Sequence, residues 1–459
     1  MRIGLLPLYI KLYDDTCTGV RPRLDTFYET VAAELETRGL EVERTAFCRI
    51  KPEFDRAVAG FEEAGVDAIV TLHMAYSPSL EAIDALTATS LPIIVLDTTE
   101  TLEFTPQQDP GEIMYNHGIH GVMDLCSMLK RHGKAYAMAA GHYLESDCVD
   151  RVCGLVRAAV AAGALGKSRV CLVGGAFEGM GDFTVEPAEL KERFGILVEE
   201  ADGEELGRLV SEVTEEEIAA EWEENRRRFD FSEGLVEEEY ETTLRNCLGL
   251  RKYIEKNGYS AFSVNFLKTG GDSGLGTMPF IECSKAMERG LGYAGEGDGL
   301  TAAFTGAFLG AYPETSFVEI FCPDWKNDLL FLSHMGEVNY GVADTRPLVC
   351  RAGANYSDST YPYPAYARMK GGKAVYVNIS RDSKDYQLLA APVEMLEVSE
   401  DRFPGSMRGW MRPEGYTTAR FLELLSENGA THHSSLIYGA RVEELAYFGR
   451  LLGMKTVIL

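Results

Sequence analysis

The sequence has no C-x-x-C pair among its ten cysteines, no apolar stretch of membrane-spanning length and a shortage of basic residues. Scattered cysteines argue against a disulfide framework or a zinc ribbon and fit free thiols in a reducing cytoplasm, the expected location. Without a run of about 20 apolar residues no transmembrane helix is expected. The first residues, Met1-Arg2-Ile3-Gly4-Leu5-Leu6-Pro7, lack a small-residue cleavage site before Lys11 and Asp14-Asp15, so they read as a strand and not a signal peptide. Lys plus Arg number 44 against 71 Asp plus Glu, a formal charge of −27. Such a surface repels phosphate backbones and anionic membranes, so neither nucleic acid nor membrane is an expected partner. The one basic cluster, Arg226-Arg227-Arg228, lies among Glu223, Glu224 and Asp230 and reads as a salt-bridged helix face.

What is present is an ordinary globular composition, 46% hydrophobic and 25% charged, which excludes wholesale disorder. At 459 residues the chain exceeds what one core serves. Short apolar runs at Ile3–Leu6, Leu40–Arg44, Ala68–Leu72 and Pro92–Leu96 alternate with helical patterns at Leu24–Arg38, Glu53–Glu63 and Ser79–Ala88. That β-α-β-α order predicts a parallel sheet with helices on both faces. A helix at Gly118–Arg131, a strand at Ala135–Ala139 and a helix at Asp147–Ala162 continue it. Arg169–Val173 opens a second α/β unit, with acidic helices across Glu204–Arg228 and Val236–Lys256 and a strand at Ser260–Val264. Beyond Tyr312 the texture changes to strands (Ser316–Phe321, Leu329–Ser333, Leu348–Arg351, Ala374–Ile379), with a helix only at Thr417–Glu427. The reading is an α/β chain of three domains, 1–166, 167–313 and a mostly β 314–459.

Two glycine-rich loops fail as nucleotide sites. Gly174-Gly175-Ala176-Phe177-Glu178-Gly179-Met180-Gly181 lacks the G-x-G-x-x-G spacing of a dinucleotide turn. Gly270-Gly271-Asp272-Ser273-Gly274-Leu275-Gly276 lacks the terminal Gly-Lys-Ser/Thr that would bring a lysine to a β-phosphate. Both read as flexible loops or ligand-edge turns.

Carboxylates and histidines are more informative. Among eight histidines, His117 and His120 are spaced i, i+3 at a helix start, and His132 precedes Gly133 at a helix end, where a cation suits the dipole. The pair is compatible with a shared face or with plain helix-terminus hydrogen bonding, and the dipole alone accounts for His132. Gly295-Glu296-Gly297-Asp298-Gly299 sets a carboxylate between glycines, which let backbone and ligand approach closely. Glu319 interrupts the apolar run Ser316–Phe321, and His334 ends the apolar run Leu329–Ser333. A charge in a buried strand is costly unless paired or bound to metal. His432-His433 falls in the loop that follows the last domain's helix. Taken singly, each is equally well a polar residue at a strand end. Together, two carboxylates and two imidazoles without thiolate suit Mn²⁺ or a similar divalent ion.

The run Leu291-Gly292-Tyr293-Ala294-Gly295-Glu296-Gly297-Asp298, followed by Thr301-Ala302-Ala303, resembles the arabinose isomerase signature. Thr315–Glu319, Ser333-His334-Met335-Gly336-Glu337-Val338 and Gly429-Ala430-Thr431-His432-His433 continue the likeness in order, and Leu72–Pro78 and Ala140–Tyr143 extend it upstream. The L-arabinose/L-fucose isomerase-like group fits best. The resemblance implies a flavodoxin-like N-terminal domain, a second α/β domain and a β-rich C-terminal domain. It implies that Glu296, Glu319, His334 and His433 bind the divalent ion and that the two glutamates do the proton chemistry. It places His120, Met180, Ser263 and Phe266 against the sugar, Ser263 standing where the family has Thr. In the family's first loop a glutamine and a tyrosine reach a neighbouring subunit's site; here, in Pro7–Tyr13, Tyr9 is available and the glutamine is missing. Either Lys11 substitutes for it or the site takes another sugar, because losing a hydrogen bond to a substrate hydroxyl shifts specificity strongly. A trimer or hexamer is the assembly implied.

The residue types suit an aldose–ketose interconversion, in which a proton moves between C1 and C2 and another between their oxygens. A divalent cation bridging O1 and O2 would stabilise the cis-enediolate, and two carboxylates would handle the two protons. The acidic charge and the lack of a phosphate-binding lysine loop favour a free sugar such as L-arabinose over a sugar phosphate. Mn²⁺ is the expected ion, with Mg²⁺ or Co²⁺ as substitutes. A metal-dependent aldolase or dehydratase and a non-catalytic cytosolic sugar-binding protein are the alternatives.

Overall fold

The computed structural model describes residues 1–17, 19–355 and 357–459. The chain divides into two compact units, Met1–Val160 with Arg450–Gly453, and Ala161–Gly449 with Met454–Leu459.

In the first unit, strands β1 (Arg2–Leu8), β2 (Glu41–Arg44), β3 (Ala68–His73), β4 (Ile93–Asp97) and β5 (Tyr136–Ala140) form one parallel sheet in the order β2-β1-β3-β4-β5. That is the flavodoxin-like, doubly wound order. Every residue of β3 is buried, as a strand covered on both faces requires. The covering helices show the helical period: in Lys51–Ala64 the buried positions are Phe54, Ala57, Val58 and Phe61, and Gly65 ends the helix in the left-handed conformation with φ 66°.

In the second unit, β6 (Arg169–Val173), β7 (Leu197–Glu200), the short β8 (Asp230–Phe231), β9 (Ala261–Val264) and β10 (Gly292–Gly295) come first. Four of them form a parallel sheet, β10-β9-β6-β7. The helix expected across Glu204–Arg228 is two helices, Gly203–Ser211 and Glu215–Arg228. The break comes at Thr214, whose side chain accepts the Glu217 N–H while Glu217 reaches back to the Thr214 N–H, a capping box that starts a new helix. Arg226 and Arg228 are salt-bridged to Glu223 and Glu224. Deeper in, Lys285 pairs with Glu221 at 2.8 Å, and Arg251 joins Glu221 and Glu282, a buried ion network tying together the helices Glu215–Arg228, Glu237–Asn257 and Phe280–Glu288.

The remaining strands are β11 (Thr315–Asp324), β12 (Leu329–Ser333), β13 (Leu348–Val349), β14 (Ala365–Tyr366), β15 (Gly372–Arg381), β16 (Tyr386–Met395), β17 (Gly409–Pro413), β18 (His433–Tyr438) and β19 (Lys455–Ile458). Seven of these run in the order β15-β18-β11-β12-β17-β16-β19, and a further β15–β16 pairing closes the first six into an antiparallel barrel. Closure removes the exposed edges that an open sheet leaves. His433 is thus the first residue of a barrel strand and not a loop residue. The helix Gly299–Ala311 is apolar and buried nearly all round because it packs on β6, β9 and β10 and also on β11, β15 and β18. It holds the α/β sheet against the barrel. Among the described residues no helix is long and apolar enough to cross a membrane.

Candidate metal centre

The barrel brings three of the four expected ligands together by register. β11 lies between β18 and β12, with Glu319 directly opposite His433 on one side and Ser333 on the other. β12 ends at Ser333, and the next residue, His334, puts Nε2 3.8 Å from Glu319 Oε2. A register shift between Ile320 and Cys322 leaves Phe321 as the extra residue of a β-bulge, immediately after the carboxylate. Bulges of this kind re-aim side chains next to sites.

Glu296 arrives from the other layer, in the turn after β10. It adopts φ 66°, unusual for a residue with a side chain and costing roughly 1–2 kcal/mol. Three bonds hold it there: its N–H donates to Val264 O, its carbonyl accepts from the Phe177 N–H, and the next N–H, of Gly297, donates to Ser263 Oγ at 2.8 Å. Gly295 is required because a Cβ there would stand 2.6 Å from His334 Cε1. Gly297 is required because a Cβ would stand 2.3 Å from Gly175 O.

The imidazoles are oriented from behind. His433 Nδ1 is 3.0 Å from Asp298 Oδ2, which turns Nε2 toward Glu296 Oε2 at 3.5 Å. His334 Nδ1 faces Glu337 Oε1 at 3.0 Å, leaving its Nε2 toward Glu319. Glu337 is itself fixed by the Tyr293 hydroxyl and the Gly336 N–H, each at 2.6 Å. Carboxylate partners on the far ring nitrogen are what metal-ligating histidines ordinarily have. Phe317 packs edge-on against both rings, and Phe183 stacks on His433. His432, beside them, binds Asp182 at 2.6 Å through Nδ1 and lies 3.5 Å from Glu296 Oε2.

These environments separate the two glutamates. Burial alone would raise the Glu296 carboxyl, but His432, His433 and His334 outweigh it and hold it well below the usual range. Burial pushes the Glu319 carboxyl up, only partly offset by the same imidazoles. Burial opposes charge on His433 too, yet Asp298 and Glu296 raise it to about 9. Asp182 and Glu296 do the same for His432, to about 10, against the same opposing effect of burial.

A divalent ion fits what is present. Glu296 Oε2 and His433 Nε2 are buried without a hydrogen-bond partner among the described residues, a costly arrangement unless something else satisfies them. Donor atoms of Glu319, His334 and His433 lie within 4.8 Å of one another, and so do those of Glu296, His432 and His433. Ligands about 2.0–2.3 Å from a common ion have spacings of that order.

Of the other residues singled out in the sequence, Ser263 is fully buried, and its hydroxyl donates to Ala294 O while accepting from Gly297, so it shapes the Glu296 turn. Phe266 packs on Phe177 at 5.6 Å, next to that turn. Met180 lies in the loop between Phe177 and Asp182, half-buried, its carbonyl accepting from Thr184. In the first unit, His120 stacks on Tyr76, and neighbouring His117 takes a 3.0 Å contact from the Tyr13 hydroxyl. Tyr9 is buried with its hydroxyl unpartnered among the described residues, and Lys11 pairs with Asp15 on the surface at 2.7 Å. Sequence reading did not single out Asp298 or Glu337 as supporting residues. Glu337, three positions after His334, carried a faint signal; Asp298 reads as a helix N-cap, which it also is, accepting the Thr301 N–H.

Residues 184–309 match the model of the L-arabinose isomerase central domain, and residues 314–455 that of the L-arabinose isomerase C-terminal domain. L-arabinose isomerase of Erwinia tasmaniensis is 24% identical over 88% of this chain and 84% of its own length. The L-arabinose isomerase of Herpetosiphon aurantiacus is 25% identical over 83% and 78%. That of Aeromonas salmonicida is 22% identical over 87% and 82%. With both domain models matched in order, the chain belongs to the L-arabinose isomerase family.

Proposed function

We propose that the chain is a divalent-metal-dependent aldose–ketose isomerase acting on a free sugar, L-arabinose or a related pentose or hexose. The observation that carries this reading is the meeting of Glu296 and Glu319 at His433, with His334 beside Glu319, the Nδ1 atoms of both imidazoles facing carboxylates. Glu296, Glu319, His334 and His433 would hold the ion, Mn²⁺ being the expected one and Mg²⁺ or Co²⁺ its substitutes. When bound, such an ion supplies Lewis-acid stabilisation of negative charge on the sugar's O1 and O2.

The chain's own residues supply the rest. Glu296 and Glu319 sit in environments that push their acidities apart, the condition under which one carboxyl takes a proton while the other gives one. Asp298 and Glu337 fix which nitrogen of each imidazole faces the site. Phe177, Phe183, Phe266 and Phe317 wall the turn and the imidazoles with apolar surface, which strengthens every electrostatic contact inside. Met180, Ser263 and Phe266 are proposed to shape the sugar pocket, His120 to contact the sugar, and Tyr9 and Lys11 to reach the site of a neighbouring subunit. The absence of a glutamine from Pro7–Tyr13 bears on which sugar is taken. A homo-oligomer, trimer or hexamer, completes the proposal, with the ten free thiols suited to the cytoplasm.

The test is isomerisation by EDTA-stripped protein against a panel of free aldoses, with and without Mn²⁺. Conversion of one or a few sugars restored by the metal is the expected result. Glu319→Gln should bind sugar and lose turnover; unchanged turnover would refute the assignment of Glu319. A fully active monomer in analytical ultracentrifugation would refute the oligomer.

A further inference from the structure

The two glycine-rich loops that fail as nucleotide sites come together on one cleft in the second unit. Gly174 follows β6, Leu267–Ser273 follow β9, and Glu200 and Ala201 end β7; with Asp358 they line a cleft of about 550 Å³. From β6 the chain crosses to β7 on one side of the sheet, and from β9 to β10 on the other. Loops leaving adjacent strands in opposite directions open a crevice at the strands' carboxyl ends, the usual ligand position in an open α/β sheet. The volume falls within the range of small-molecule sites, about 300–1,000 Å³. None of Glu296, Glu319, His334, His432 and His433 lines it.

The lining selects a class of ligand. Glu200, Asp272 and Asp358 make no hydrogen bond or ion pair among the described residues, although carboxylates elsewhere in this unit are paired extensively. Lys268 has only a 3.9 Å contact with the exposed Glu178. The buried hydroxyls of Thr269 and Ser273 are engaged within the protein, Thr269 donating to Phe266 O and Ser273 accepting from the Leu275 N–H, and so leave the ligand to the charged groups. Three carboxylates against one ammonium repel a phosphorylated or carboxylate ligand. The carboxylates do not converge to metal-holding distance, for among the described residues the only groups that do are those around His433. Among the described residues no aromatic ring lines the cleft, so they build no cage for an organic cation. A neutral polyhydroxylated molecule remains: its hydroxyls donate to Glu200, Asp272 and Asp358 and accept from Lys268.

We infer that this cleft is a second binding site for a free sugar or polyol, separate from the metal centre. The inference stands on the lining alone and does not require the chain to be an isomerase.

The test uses four- to six-carbon alditols, which cannot be isomerised, titrated calorimetrically into three EDTA-stripped full-length proteins: the unaltered chain, His433→Ala and the double variant Lys268→Met/Asp272→Asn. The double variant changes exposed side chains, and an unchanged melting temperature will show that it folds. An alditol should bind the unaltered chain and His433→Ala alike, and the double variant at least about tenfold more weakly, the loss expected for one charge-assisted hydrogen bond. Absence of alditol binding to His433→Ala, or binding that the double variant leaves unchanged, would overturn the inference. So would a second Mn²⁺ bound per unaltered chain and lost in the double variant, which would make the cleft a cation site. None of these readouts depends on turnover, so failure here is distinguishable from failure of the isomerase reading.

Discussion

Asp298 performs two tasks with two oxygens, and they can be separated by substitution. Oδ1 caps the helix Gly299–Ala311 by accepting the Thr301 N–H at 2.8 Å, and Oδ2 orients His433 at 3.0 Å. Serine caps helices about as well as aspartate but is too short to reach the imidazole, whereas alanine does neither. Asp298→Ser and Asp298→Ala should therefore differ in stability by the cap alone, about 0.5–2 kcal/mol. In Mn²⁺ affinity they should be alike, both weaker than the unaltered chain by about 10–100-fold, the usual effect of losing a carboxylate behind a ligating histidine. Urea denaturation of metal-free protein measures the first quantity, and calorimetric Mn²⁺ titration the second. If Asp298→Ser binds Mn²⁺ as tightly as the unaltered chain, the orienting role is wrong. If the two variants are equally stable, the capping role is.

The remaining expectations concern stability. Lys285→Met strips one of two cations from the buried Glu221. Because Arg251 still pairs with it, the cost in urea denaturation should be less than the roughly 3–5 kcal/mol of a buried charge left wholly unpaired. Lys285→Met with Glu221→Gln, which removes both charges, should cost less again. His73 is buried with both ring nitrogens unpartnered among the described residues, and burial lowers its pKa from 6.5 to about 3. Below pH 6.5 the unfolded chain therefore binds a proton that the folded chain refuses, so stability falls from there toward pH 3. Amide exchange in β3 should accelerate over that window, and His73→Leu should flatten the dependence. Mn²⁺ at about 100 times its dissociation constant should stabilise the EDTA-stripped protein by about 2.7 kcal/mol in reversible unfolding, and His433→Ala should abolish the gain.

The parallel sheets were legible in the sequence because their strands are continuous apolar runs and the helices between them carry a clear 3.6-residue period. β3 and the helix Lys51–Ala64 are examples. Glu319 and His334 were legible for the converse reason: a charged group in an apolar strand conflicts with its surroundings. β16, β17 and barrel closure were not, since whether β15 pairs with β16 depends on contacts across the sheet and leaves no local pattern. The break at Thr214 was written in the sequence as Thr-x-x-Glu, but the run of acidic residues around it obscures the signal. Asp298 and Glu337 were hidden because each has an innocuous local reading, and only the fold brings Asp298 to a histidine 135 positions away.

That separation has a consequence for how the chain is made. Glu296 belongs to the α/β sheet, while β18, which carries His433, is the strand between β11 and β15 without which the barrel stays open. A nascent chain that has emerged just past β12 already displays Glu296, Glu319 and His334, but has neither the fourth proposed ligand nor the wall of strands that fixes the other three. On the proposed ligand set, metal capture would await synthesis through β18, and a ribosome-stalled or prematurely terminated product would carry no competent ion site. Loading with the proposed ion would thereby double as a check that the barrel has closed.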